Sequence, residues 1–254
     1  MVTIMFNFFA SDNSRQGNCY YLTGADFNHI KNVLRMREGD TFLVSDNGKS
    51  HLCEIIRFDG ESAVTEIIEE NYQNTELPVK LYLFQGLPKS DKMELIIQKA
   101  VELGVYAIVP TEMNRCVVKL EEKKKKSKLE RWQLISESAA KQSKRNIVPE
   151  MLDILSYKEA LKEAQKLDMI ILPYESKDGM ESTKAALNKI KPGMSIGIFI
   201  GPEGGFDDKE INEAIEFGAE IISLGKRILR TETAAITALS MCMLHIEMNT
   251  DGES

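Results

Sequence analysis

The residues best suited to chemistry sit in a turn reading FIGPEGGFDDKE, residues 199 to 210, where three glycines and a proline separate an apolar run from a run of charge. Glycine at the end of a strand lets backbone approach a ligand with no side chain between them, and it permits the positive φ that a tight turn requires. A glycine-rich turn feeding a helix N-terminus is also a natural anion site. The spacing, however, is neither GxGxxG nor GxxxxGK[ST], and Glu203, Asp207 and Asp208 would repel a pyrophosphate. The turn therefore reads as one wall of a binding pocket, with a ligand-free tight turn as the plain alternative.

Two further stretches have the same character. The loop Leu224 to Arg230 combines Gly225 with the apolar Ile228 and Leu229, which suits a ligand carrying a flat apolar ring with hydrogen-bonding edges, such as adenine. It leads into RTETAAITAL, where Thr231 or Thr233 is expected to cap a helix rich in Ala, Leu and Met. The third stretch, ILPYES at residues 171 to 176, ends a strand with Pro173, which stops ladder pairing and opens a crevice.

The elements that must hold these loops follow from the hydrophobic pattern. Near-continuous apolar runs at residues 79–87, 106–112, 168–175, 195–202 and 220–225 read as parallel strands buried on both faces. Helical segments alternate with them. DKMELIIQKAVELG pairs Asp91 with Glu94 at capping-box spacing and stops at Gly104, and DDKEINEAIEFG repeats the design with Asp207, Glu210 and Gly218. Ligands in such α/β sheets lie beyond the carboxyl ends of the strands, where all three loops fall.

Residues 1 to 72 follow another grammar. Short β-prone runs separated by turn signals at Asp46-Asn47-Gly48 and Asp59-Gly60 predict hairpins and a small antiparallel barrel. Before them a helix is expected from Asp26, with Phe27, Ile30, Val33 and Leu34 on one face and Lys31, Arg35 and Arg37 on the other. The polar stretch EENYQNTELP, ending at Pro78, reads as the linker, so residues 73 to 254 form the second domain.

With 254 residues, 43% of them hydrophobic and 28% charged, the chain can bury a substantial core. Its start lacks the basic residues and apolar length of a signal peptide, and no run of about 18 apolar residues occurs, so a cytoplasmic protein with no membrane partner is expected. Cys19, Cys53, Cys116 and Cys242 form no CxxC pair, and His29, His51 and His245 form no recognisable base relay. Neither a metal site nor a disulfide framework is expected. Net charge is −7, yet between Asn114 and Arg145 eleven Lys or Arg face four Glu. That stretch is either a solvated surface or a landing strip for nucleic-acid phosphates.

HIKNVLRMREGD, LPKSDKMELIIQKAVELGV, ESAAKQSKRNIVPE, FIGPEGGF and LGKRILRTETAAITAL, in this order along nearly the whole chain, resemble the ribosomal RNA small subunit methyltransferase E family. The resemblance implies an α/β fold: a SPOUT methyltransferase domain with a trefoil knot, preceded by a PUA-like β-barrel that binds RNA. It implies S-adenosylmethionine as cofactor, 16S rRNA of the small ribosomal subunit as partner, methylation of a uridine at N3, and a homodimer. Carried onto this sequence, the family's cofactor pocket falls on Leu172, Pro173, Gly201, Pro202, Glu203, Gly204, Gly205, Leu224, Gly225, Ile228, Leu229, Arg230, Thr231, Thr233 and Ala234.

Uridine N3 carries a proton and is a poor nucleophile until that proton leaves, so a base or an anion-stabilising cation is needed. Glu232 is the candidate base, Arg230 the candidate cation, and Glu203 the reserve base. Against this stands the plain reading of Glu232 as a carboxylate favoured by the helix dipole. Arg35, Arg37, Arg115, Lys119, Lys144 and Arg145 are the candidate RNA contacts. The competing functions are a SPOUT enzyme methylating a ribose 2′-hydroxyl and a non-enzymatic RNA-binding module, while a dinucleotide-dependent oxidoreductase lacks its fingerprint.

Overall fold

The computed structural model describes residues 5–11, 13–174 and 179–250. Its contacts divide the chain into two units, Met1–Glu76 with Ala140–Val148 and Leu77–Ala139 with Pro149–Ser254. The expected division at residue 72 misses a returning segment: residues 140–148 belong with the first unit.

The first unit is a curled six-stranded sheet, made of β1 (Asn7–Phe9), β2 (Arg15–Gln16), β3 (Cys19–Thr23), β4 (Thr41–Asp46), β5 (Lys49–Asp59) and β6 (Ser62–Gln73) in the order β1-β4-β5-β6-β3-β2. All pairs are antiparallel except β1 with β4. Asn47 and Gly48 join β4 to β5 with φ of 49° and 77°, both positive as a two-residue hairpin turn demands. Register shifts along β5 and β6 bend the two longest strands. Among the described residues the ladder ends at β1 and β2, so the expected barrel is a curled sheet. Its concave core is Phe8, Tyr20, Ile30, Phe42 and Ile55 with their neighbours.

Two expectations fail in this unit for physical reasons. Helix α1 (Gly24–Asn28) runs into a π-helical turn at His29–Val33, where the Leu34 N–H bonds the His29 carbonyl at 2.9 Å. The wider turn keeps Ile30 buried and swings Val33 out to 64% exposure, off the face an α-helical period assigns it. The supposed linker begins later than expected, because residues up to Gln73 extend β6.

Glu76 then explains the returning segment. Its carboxylate accepts from Arg145 Nε at 2.9 and 3.0 Å and from the Asn146 N–H at 2.8 Å. The Arg145 carbonyl in turn accepts from Asn7 Nδ2 at 2.9 Å, and Asn146 Nδ2 donates to the Gln73 carbonyl at 3.0 Å. Arg145 is 3% exposed, so its charge belongs to the interior of the unit and not to an RNA surface.

The second unit is α/β. Along the chain run β7 (Lys80–Gly86), α2 (Lys92–Glu102), β8 (Val105–Glu112), α3 (Glu122–Ser143), β9 (Glu150–Met151), β10 (Leu155–Ser156), α4 (Tyr157–Ala164), β11 (Met169–Pro173), α5 (Met180–Leu187), β12 (Ser195–Ile200), α6 (Asp208–Glu216), β13 (Glu220–Ile222) and α7 (Thr231–Thr250). The parallel sheet has the order β10-β8-β7-β12-β11-β13, with β9 also on β8. Leu81, Leu83, Phe84, Ile196, Ile198 and Phe199 are buried, and Phe84 stacks on Phe199 with centroids 4.4 Å apart. These are the continuous apolar runs of the sequence, covered on both faces.

Helix ends are built as the sequence suggests at α6 and differently at α2. Asp207 and Glu210 form a full capping box. Asp91 makes no side-chain cap: its backbone is not extended (φ −87°, ψ 9°) and the Glu94 N–H bonds the Asp91 carbonyl at 3.1 Å, while the Glu94 carboxylate pairs with Arg131 at 2.7 Å. Strand order changes direction at β7, with β8 and β10 on one side and β12, β11 and β13 on the other. Such a switch point leaves a crevice at the carboxyl ends of the strands.

Candidate active site

A cavity of about 660 Å³ opens beyond the carboxyl ends of β11, β12 and β13, within the second unit. Its walls are Pro173 and Tyr174 after β11, Ile200 to Phe206 after β12, and Ser223 to Thr231 after β13, with Ala234 on α7. The volume lies in the range of roughly 300–1000 Å³ usual for small-molecule sites. Of the residues assigned to the pocket from sequence, Leu172 and Thr233 lie outside it: Leu172 is fully buried in β11 and Thr233 is exposed on α7. Glu175 and Ser176 of the third stretch fall outside the described residues.

The glycines work by two different means. Gly205 and Gly225 have φ of 66° and 99°, which only glycine adopts without strain, and an added Cβ at either would meet no close neighbour. At Gly204 a Cβ would lie 2.9 Å from Arg115 Cβ. Arg115 also donates to the Gly204 carbonyl at 3.0 Å, so the residue assigned to RNA is a strut of the glycine turn. Asn114 reinforces it, its N–H on Glu210 at 2.8 Å and its amide on Asp207 at 2.7 Å.

Thr231 does not cap α7. Its side chain is buried, donating to the Gly201 carbonyl at 2.7 Å and accepting from Gln85 Nε2 at 3.0 Å. Gln85 is fully buried in β7 and also donates to the Gly86 carbonyl. One hydroxyl thus ties β7, the glycine turn and the start of α7 together. Gln85 has the polar side chain of a strand expected to be apolar, which was the signal that sequence reading passed over.

Lys92, at the first position of α2, lines the cavity and joins its two carboxylates. Its ammonium lies 3.1 Å from Glu203 Oε1 and 3.2 Å from Glu232 Oε2. Glu203 also accepts the Lys89 N–H at 3.0 Å. Burial alone would raise the Glu203 carboxyl, but its own backbone N–H, that of Lys89 and the Lys92 ammonium together hold it below the ordinary carboxylate range. Lys92 is raised above its usual range, first by Glu203 and then by Glu232. Glu232 is not among the residues that line the cavity, though 15% of its side chain is accessible. Its Oε2 is buried without a well-directed hydrogen bond, and the Lys92 ammonium is the cation beside it. Lys92 was missed because it sits in a different motif from the two glutamates, although it stands just past the end of β7, where strand-end logic would place a site residue.

Among the described residues, the cavity wall carries the cations Lys92, Arg115, Lys226, Arg227 and Arg230 against the single carboxylate Glu203. In a chain of net charge −7 this is a local reversal of sign. The remaining candidate RNA contacts divide between the units: Arg35, Arg37 and Lys144 in the first, with both arginines exposed, and exposed Lys119 in the second.

Comparison with known proteins defines the class. The RNA methyltransferase domain family matches residues 75–243 and the RNA methyltransferase PUA domain family matches residues 22–68. The fold is the α/β methyltransferase fold of SPOUT proteins behind a PUA-like unit.

Within that class the chain belongs to the ribosomal RNA small subunit methyltransferase E family. It is 41% identical to the Bacillus subtilis (strain 168) member over 90% of this chain and 91% of that one. The Mesomycoplasma hyopneumoniae (strain 232) member is 37% identical over 94% and 99% of the two chains. A solved structure of the Neisseria gonorrhoeae member, bound to S-adenosyl methionine, superposes with a TM-score of 0.81 at 34% identity, covering 94% of this chain and 97% of that one.

Proposed function

We propose that this protein transfers the methyl group of S-adenosylmethionine to N3 of a uridine in 16S rRNA of the small ribosomal subunit. The observation that carries the reading is the single cavity wall formed by three strand-end loops, in a chain whose relative binds this cofactor. The residues fit the group. Gly205 and Gly225 leave backbone open to it, and Ile228, 98% exposed on the cavity wall, offers apolar surface that an adenine ring would cover. Leu224 and Leu229 extend that surface. The cofactor, when bound, supplies a methyl group activated by its sulfonium centre.

The chain's own residues do the rest. Glu232 accepts the N3 proton, and the Arg230 guanidinium faces the uracil oxygen on which negative charge then grows. Water is kept from the reacting edge by Pro202, Leu224 and Leu229. The cationic wall favours approach of a polyanion, with Arg35, Arg37, Lys119 and Lys144 as further phosphate contacts. The return of the chain from β13 to α7 is taken to be threaded as the trefoil knot of the superfamily.

A homodimer through α7 completes the proposal. That helix leaves the large apolar side chains Leu244 and Met248 exposed, and it packs on α2, where Leu95 is exposed too. A helix of this kind needs a cover, and a second copy supplies one. None of the described helices is long and apolar enough to cross a membrane, in keeping with action on ribosomal subunits in the cytoplasm.

The test is mass spectrometry of nucleosides from 16S rRNA of cells with and without this protein. Loss of N3-methyluridine on deletion and its return on complementation are expected. Loss of a 2′-O-methylnucleoside instead would assign the ribose reaction, and no change in either would refute an enzymatic role on this RNA.

A further inference from the structure

Lys92 belongs to none of the loops that resemblance assigns to the cofactor, yet three elements converge on it. It opens α2, Glu203 comes from the glycine turn after β12, and Glu232 from the first turn of α7. The ammonium stands 3.1 Å from one carboxylate and 3.2 Å from the other. The three charges sum to −1, so the cluster can take up one proton and become neutral. That is the charge change required of a site that strips a proton from a neutral base.

The two carboxylates are held unequally. Glu203 has a second anchor in the Lys89 N–H at 3.0 Å. Glu232 Oε2 is buried and has no directed hydrogen bond, so the Lys92 ammonium is the charge that compensates it. An ionised oxygen withdrawn from water with no counter-charge is strongly disfavoured. Removing the ammonium therefore leaves the glycine turn anchored while Glu232 loses the partner that holds it in place.

We propose that Lys92 is the positioning residue of the methyl-transfer site, clamping the Glu232 carboxylate against the Glu203 wall of the cofactor cavity. The inference rests on Glu232 being the proton acceptor. Lys92 does not act on the cofactor: it sets the direction of the carboxylate that meets the substrate. Arginine can replace it because a guanidinium spans two carboxylates, whereas methionine keeps the length of the stem and loses the charge.

The experiment compares Lys92→Met, Lys92→Gln, Lys92→Arg, Glu232→Gln and the double variant Lys92→Met/Glu232→Gln. Each is assayed by single-turnover methylation of rRNA from cells lacking the protein, and by calorimetric binding of S-adenosylmethionine without RNA. Lys92 is a partly exposed surface residue, with 28% of its side chain accessible, so the variants are expected to fold, and circular dichroism checks this. The expected result has four parts. Lys92→Met and Lys92→Gln fall by about tenfold or more in rate, cofactor affinity stays within about threefold, and Lys92→Arg recovers most of the rate. In the Glu232→Gln background Lys92→Met adds less than about threefold, as for residues acting in one unit.

If Glu232→Gln is slow while Lys92→Met is as fast as wild type, or if the two defects multiply, the clamp is overturned and the base assignment stands. Loss of cofactor binding in Lys92→Met with the rate at saturation unchanged also overturns it, making Lys92 a cofactor ligand. A Glu232→Gln rate within about threefold of wild type overturns the base assignment itself, and the clamp with it.

Discussion

Replacing Thr231 by valine tests the hydroxyl that joins three elements of the second unit. The change preserves shape, so no cavity term enters, and only hydrogen bonds are lost. The Gly201 carbonyl loses the donor at 2.7 Å and one N–H of fully buried Gln85 loses the acceptor at 3.0 Å. A buried polar group left unpaired costs about 1–3 kcal/mol. Gly201 is half-buried and recovers part of its loss from water, so the sum is roughly 2–4 kcal/mol. In urea unfolding this moves the midpoint of the second unit down by roughly 1 M with the slope unchanged. Gln85→Met supplies the cross-check. It removes the same N–H together with Oε1, which is buried without a partner, so in its background Thr231→Val costs at least about 1 kcal/mol less. A cost below about 0.5 kcal/mol for Thr231→Val, or costs that add within about 0.5 kcal/mol, would refute the linkage.

Gly204→Val forces a side chain against Arg115 Cβ, 2.9 Å from the new Cβ. It should weaken S-adenosylmethionine binding by about tenfold or more while the first unit keeps its fold, as calorimetry and limited proteolysis can show; unchanged affinity would mean that the turn yields freely. Glu76→Gln removes a carboxylate partner of buried Arg145 and should cost about 1–3 kcal/mol, detectable as an early unfolding of the first unit. The Asp207 carboxyl lies below its ordinary range, chiefly through the Glu210 N–H and then the Asn114 amide. A group depressed in the folded state contributes stability above its unfolded titration and loses it as pH falls through the folded one. The stability gap between wild type and Asp207→Ala should therefore be constant from neutrality to about pH 5 and close below about pH 4, and a gap persisting at lower pH would assign the loss to something other than the carboxylate.

What the sequence by itself determined was the set of local structures and their order. Continuous apolar runs became the strands of the parallel sheet, Asn47-Gly48 made its hairpin, Asp207 and Glu210 made their box, and the three strand-end loops were recognisable as one pocket. Each depends on near neighbours or on a period that burial imposes, and such constraints are written in short windows of sequence. The tertiary structure decided the pairings made across distance. Arg145 looks like one more cation in a basic stretch until Glu76, far away in sequence, takes its charge into the interior. Arg115 becomes a strut because Gly204 packs on it, and the Glu94 carboxylate finds Arg131 on a separate helix. Lys92 could not be placed between Glu203 and Glu232 from any one motif, since three separate segments supply the members. A charged side chain has no periodic signature for its partner: the strands that carry the pair must first be ordered in the sheet, and only folding sets that order.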